Sequence, residues 1–125
     1  MKFIEGGVCA PAGFTANGVH CGFRMNRSKR DLSLIASEVR CAAAATYTTN
    51  KVKGAPLEVT RAHLADGYAQ VIICNSGNAN TCNANGVEIA EQTSQLLARE
   101  MGIFPDDVVV GSTGVIGQPM SLDPF

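Results

Sequence analysis

Apolar and polar residues alternate along three early stretches of this chain. Val19, Cys21, Phe23 and Met25 fall on one face of an extended backbone, with His20, Gly22 and Arg24 on the other. That is the pattern of a half-buried strand. Asn26-Arg27-Ser28-Lys29-Arg30-Asp31 interrupts it, and Leu32, Leu34 and Ala36 resume the alternation. Together they predict a hairpin with a loop of intermediate length. A third alternation, Val39, Cys41, Ala43, Ala45 and Tyr47, predicts a further strand, although its alanines suit a helix equally. Residues 1–18 are rich in glycine and alanine, show no period, and read as an irregular arm ahead of an α/β portion at 19–125.

Beyond residue 50 the period changes. Pro56 stands where a first helical position belongs and Gly67 just past a helix end, so Leu57 to Ala65 predicts a short helix. Ala69 to Cys74 is a continuous apolar run, hence a strand covered on both faces. Asn75 to Asn80 reads as turn, because asparagine tolerates left-handed backbone angles. Asn85 with Glu88 three residues on resembles a capping box, Ile89, Thr93, Leu96, Leu97 and Met101 recur at helical spacing, and Gly102 closes the helix. Pro105-Asp106-Asp107 then turns the chain into the strand Val108-Val109-Val110. Strand, helix and strand make one α/β unit. The chain stops at Phe125 without a capping signal, as an incomplete piece of a larger fold does.

Length and charge narrow the classes. At 125 residues the chain is one domain or part of one, and its net charge of −1 argues against a nucleic-acid partner. No apolar run approaches the roughly 20 residues of a membrane span. The opening Met1-Lys2-Phe3-Ile4-Glu5-Gly6-Gly7 has too short an apolar stretch for a leader, so a cytoplasmic protein is expected. Five cysteines with no C-x-x-C pair fit reduced, mostly buried thiols and offer no metal site.

The richest chemistry lies after the valine strand, in Gly111-Ser112-Thr113-Gly114-Val115-Ile116-Gly117. Three glycines and two hydroxyls there allow a tight turn that aims backbone N–H groups at a ligand. The spacing matches neither a dinucleotide nor a phosphate-loop fingerprint, and a nucleophile elbow would need glycine at Val110. A bare turn, an anion cradle and an oxyanion hole remain. For the last, the Thr113 hydroxyl and the Gly114 N–H are the donors. The asparagines at 75–85 fit turn and cap duty better than ligand binding. His20 and His63 have no partner hydroxyl in the sequence, and Arg24, Arg27, Lys29 and Arg30 read as a solvated loop.

Together, N-S-G-N-A-N-T-C at 75–82, S-T-G-V-I-G at 112–117 and T-T-N at 48–50 resemble the ornithine acetyltransferase family, the bifunctional glutamate N-acetyltransferases of arginine biosynthesis. V-C-A-P-A-G-F-T-A-N-G-V-H-C-G-F and D-L-S-L-I-A-S are similar to that family's N-terminal region, so the resemblance spans essentially the whole chain. The run N-T-C-N-A-N-G-V departs from the family's usual A-C-T-G-x-x-G.

The resemblance implies an α/β fold of mixed sheets layered with helices. It implies acetyl transfer from N-acetylornithine to glutamate through a covalent intermediate, with no cofactor, although some members also take acetyl-CoA as donor. Such proteins cut themselves before an internal threonine, which becomes the nucleophile, and assemble as two α and two β chains. The S-T-G-V-I-G loop supplies the oxyanion hole, which falls on Thr113 and Gly114 here. The nucleophile and the substrate-gripping residues lie beyond Phe125, so this chain corresponds to the front of the α-portion and is expected to be inactive alone. Two rival readings are a non-catalytic module that binds an anion in the glycine loop and a related self-processing aminopeptidase.

Overall fold

The computed structural model describes residues 3–125. Met1 and Lys2, at the head of the segment weighed as a leader, lie outside the described residues. The elements run β1 (Phe14–Val19), β2 (Leu32–Ala42), α1 (Pro56–His63), β3 (Tyr68–Asn78), α2 (Gly86–Met101) and β4 (Val108–Val115). The strands form one sheet in the order β1-β2-β3-β4, antiparallel except for the parallel pair β3 with β4. This is the mixed α/β architecture expected from the sequence. Among the described residues no helix is long and apolar enough to cross a membrane.

The core follows from period. Val71 and Ile73 of β3 and Val108 and Val110 of β4 project at two-residue spacing onto one face, where Val59 of α1 and Ala90 and Ala98 of α2 meet them. Val59, Val71 and Val108 are at most 2% exposed, and each such side chain contributes about 1.5–3 kcal/mol on leaving water. The other sheet face is open: Ile72 is 42% exposed, and Ile35 and Val109 beside it are half-buried. The expectation of cover on both faces of β3 is therefore corrected, because α1 and α2 share one face.

The helices obey their sequence signals. Pro56 opens α1, and Gly67 takes left-handed angles (φ 80°) after a 3-10 turn at Leu64–Asp66. Gly102 (φ 67°) closes α2. Asn85 sits at the start of α2, but its side chain makes no capping bond. Glu88 accepts from Gln92 one turn on at 3.4 Å instead of reaching back.

The first hairpin is displaced. Its leading strand is Phe14–Val19, inside the supposed arm, and it pairs with β2 from Phe14↔Ser37 to Val19↔Leu32. Of the predicted strand from Val19 to Met25 only Val19 is strand; His20 to Met25 form a loop wrapped around Asp31. Asp31 is 2% exposed and accepts from the amides of Cys21 (2.7 Å), Gly22 (3.3 Å) and Arg24 (2.8 Å). Those donors serve a carboxylate, so no strand partner takes them. Burial alone would raise this carboxyl's pKa, but the amides outweigh it and hold it well below the usual carboxylate range. The third alternation splits in the same way. Val39 to Ala42 belongs to β2, past an irregularity between Ala36 and Cys41, and Ala43 to Asn50 forms no regular element.

Candidate functional site

The two glycine-bearing motifs are neighbours in the sheet. Parallel pairing continues to the ends of β3 and β4, with Asn75 opposite Ser112, Ser76 opposite Thr113, Gly77 opposite Gly114 and Asn78 opposite Val115. Residues 75–78 and 111–115, expected as turn and loop, are thus strand, and the turn itself is confined to Ile116–Gly117. Glycine is what permits this. Gly77 and Gly114 have φ of 122° and 131°, and a Cβ on Gly114 would lie 2.3 Å from the carbonyl carbon of Gly77 and 2.6 Å from the amide nitrogen of Asn78. No side chain fits between the strands there.

Buried polar groups fasten the strand ends. The Ser112 hydroxyl donates to Asn78 O (3.0 Å) and accepts from Asn80 N (2.9 Å). Asn75 Nδ2 donates to Asn78 O (2.8 Å), Asn78 Nδ2 to Pro119 O (2.8 Å) and Asn80 Nδ2 to Gly86 O (2.6 Å). These asparagines bind backbone carbonyls across the strand ends, in place of the turn and cap duty expected of them. The third motif joins the same hub: Thr48-Thr49-Asn50 leads into a loop whose Ala55 N donates to Asn80 O at 2.9 Å, while Gly117 N donates to Thr81 O at 3.0 Å.

Thr113 and Gly114 are solvent-exposed at the end of β4, the edge strand of this sheet. Thr113 Oγ1 donates to Asn75 O at 3.4 Å, long for a hydroxyl bond, whose usual range is about 2.5–3.0 Å. The hydroxyl is lightly held and can turn to a stronger acceptor. A cavity of about 530 Å³ lies elsewhere, between β1, β2 and α2, lined by Val19, Leu32, Leu34, Leu96, Leu97 and Phe125. Neither Thr113 nor Gly114 borders it.

The histidines are held structurally. His20 Nδ1 lies 3.1 Å from both Lys29 O and Asp31 Oδ2. Buried His63 donates from Nδ1 to Val108 O at 2.9 Å, with Nε2 3.5 Å from Glu91 Oε2. All five cysteines are unpaired. Burial first, then the hydrogen bond to Asp31, pushes the Cys21 thiol up to about 11. Burial also raises that of Cys74.

Sequence reading missed one group. Arg27, Lys29 and Arg30 are exposed as a solvated loop requires, but Arg24 is half-buried and its Nη2 donates to Ser76 Oγ, directly beside Thr113 in the register. No local signal separated it from its basic neighbours.

A mixed sheet with β3-α2-β4 as its crossover unit, and two glycine motifs paired at its open end, places the chain among α/β proteins of the ornithine acetyltransferase fold. A structure of the arginine biosynthesis bifunctional protein ArgJ from Bacillus halodurans superposes with a TM-score of 0.85 at 39% identity, covering 90% of this chain and 59% of that one. The ornithine acetyltransferase of Mycobacterium tuberculosis, solved in complex with ornithine, gives 0.86 at 35% identity, covering 94% and 64%. The curated ArgJ protein of Symbiobacterium thermophilum is 46% identical over 125 residues, and that of Gloeobacter violaceus 45%. A sequence model of the ArgJ family matches residues 15–125, and the chain belongs to that family. It spans 98% of itself but only 31% and 30% of those two curated relatives.

Proposed function

We propose that this chain is the N-terminal part of a glutamate N-acetyltransferase of arginine biosynthesis, supplying the oxyanion hole of its acyl-transfer site. A threonine hydroxyl downstream of Phe125 attacks the acetyl carbonyl of N-acetylornithine. The tetrahedral centre then collapses, the C–N bond breaks and ornithine leaves with a proton. The glutamate amine attacks the resulting ester and carries the acetyl group away. In both halves the carbonyl oxygen becomes anionic. The Thr113 hydroxyl and the Gly114 N–H are the donors that receive it.

One observation carries this reading. The Gly77–Gly114 approach locks two strand ends together and leaves an exposed, weakly engaged hydroxyl beside a main-chain amide. The amide is held by its strand before charge develops and the hydroxyl need only rotate, so little reorganisation opposes the reaction. The ornithine held by the Mycobacterium tuberculosis relative supports the substrate class. Chain lengths support self-cleavage. This chain covers about three-fifths of the solved chains but under a third of the curated relatives, a difference in length that such cleavage would produce. Assembly as two α and two β chains, use of acetyl-CoA as a second donor and a cytoplasmic setting belong to the same reading.

The test is Thr113→Val in the full-length protein. Loss of one such donor lowers kcat by about 10²–10³-fold, with folding retained. The 125-residue chain alone is expected to show no transfer from N-acetylornithine. Wild-type kcat in Thr113→Val, or transfer by the isolated chain, refutes the assignment.

A further inference from the structure

Arg24 is a cation without a counter-charge. No ion pair among the described residues includes it, and its Nε is enclosed without a hydrogen-bond partner. Asp31, the nearest acid in the loop, is occupied by the amides of Cys21, Gly22 and Arg24 and faces His20. A half-buried guanidinium with an idle donor opposes folding and suits the reception of an anion.

The place of that charge is specific. Phe23 and Arg24 pack so closely on β3 that a Cβ on Gly77 would lie 2.9 Å from both Phe23 O and Arg24 Cγ. The guanidinium then reaches Ser76 Oγ. Ser76 is the register partner of Thr113, and partners in a parallel pair project to the same face across roughly 4.8 Å. The cation and the Thr113 hydroxyl therefore share one face, within the ~8 Å over which charges act at physiological salt.

We propose that Arg24, gripping Ser76, is a positioning residue of the Thr113–Gly114 site. It fixes the Ser76 hydroxyl beside Thr113 and directs one positive charge at the oxygen that becomes anionic, without touching the reacting carbonyl. The proposal rests on the oxyanion reading above, and its test separates the two.

In the full-length enzyme, Arg24→Gln lowers kcat about tenfold, the effect of one charge across one strand spacing. KM stays within about twofold, and Tm changes little, because the lost cation had no counter-charge and glutamine can still donate to Ser76 Oγ. Arg24→Lys, which keeps the charge, recovers most of kcat. Wild-type kcat in Arg24→Gln overturns the proposal while a crippled Thr113→Val leaves the oxyanion hole standing. Equal losses in Arg24→Gln and Arg24→Lys with a lowered Tm make the residue structural only, and also overturn it. A raised KM at unchanged kcat assigns the guanidinium to a substrate carboxylate and overturns it as well. Wild-type kcat in Thr113→Val removes the oxyanion hole itself.

Discussion

Gly114→Ala tests the close approach on which the site depends. The added Cβ would lie 2.3, 2.4 and 2.6 Å from the backbone of Gly77 and Asn78, and no rotamer change relieves a clash with backbone. The strands must separate, which costs about 1–3 kcal/mol as overpacking. The φ of 131° adds strain of about 1–3 kcal/mol for any residue with a side chain. The sum is about 2–6 kcal/mol. Gly117→Ala is the control: Gly117 also has positive φ, 75°, but a Cβ there meets nothing within 4 Å, so only about 1–2 kcal/mol of conformational strain is lost. Chemical denaturation of the two variants beside the parent protein gives the difference directly. With the conformational strain common to both, Gly114→Ala should be the less stable by about 1–3 kcal/mol, the cost of the clash. Equal stabilities would mean that β3 and β4 do not touch there, and the geometry behind the oxyanion reading would go with it.

Two more outcomes follow from the loop around Asp31. Its carboxyl titrates far below the unfolded value of about 3.9, so the stability it adds is whole above that pH and drains away as pH falls through the folded pKa. Asp31→Asn should therefore be less stable than the parent near neutrality, and urea midpoints should converge below pH 4; a gap constant down to pH 2 contradicts the assignment. Thiol reactivity gives the second outcome. With Cys21 pushed up to about 11 and Cys74 raised by burial, the exposed Cys9 and Cys82 should take iodoacetamide first at pH 8. Mass mapping that finds Cys21 modified as early as Cys9 refutes this.

What was legible in the sequence is local. Pro56, Gly67 and Gly102 mark helix ends by backbone preference, and each stands at or beside the end it predicted. The valine run could only be a buried strand, and Val108 is 0% exposed. The failures are long-range. Alternation from Val19 to Met25 shows which side chains share a face, but it cannot show that the amides of Cys21, Gly22 and Arg24 bind a carboxylate rather than a neighbouring strand. Likewise Gly77 and Gly114 each look like strand breakers alone. Only as partners, opposite one another, do they allow β3 and β4 to continue. Thr113 and Gly114 could be singled out from the sequence because hydroxyl and glycine adjoin there; Arg24 could not, because its contact is with Ser76, far along the chain.

The register of β3 and β4 therefore carries the proposed chemistry. The sixteen residues of α2 span about 24 Å, close to the ~26 Å of the eight-residue β4 pairing along β3. The helix thus returns the chain to a parallel strand of matching length without fixing register to a single residue. The glycines do that. A slip of one position would set Gly114 against Ser76 or Asn78, and the backbone approach now accommodated at Gly77 would meet a side chain. It would also part Thr113 from Ser76, and with it from the Arg24 guanidinium. One steric requirement, that two glycines face each other, thus aligns the hydroxyl, the amide and the cation on which the proposed oxyanion site depends.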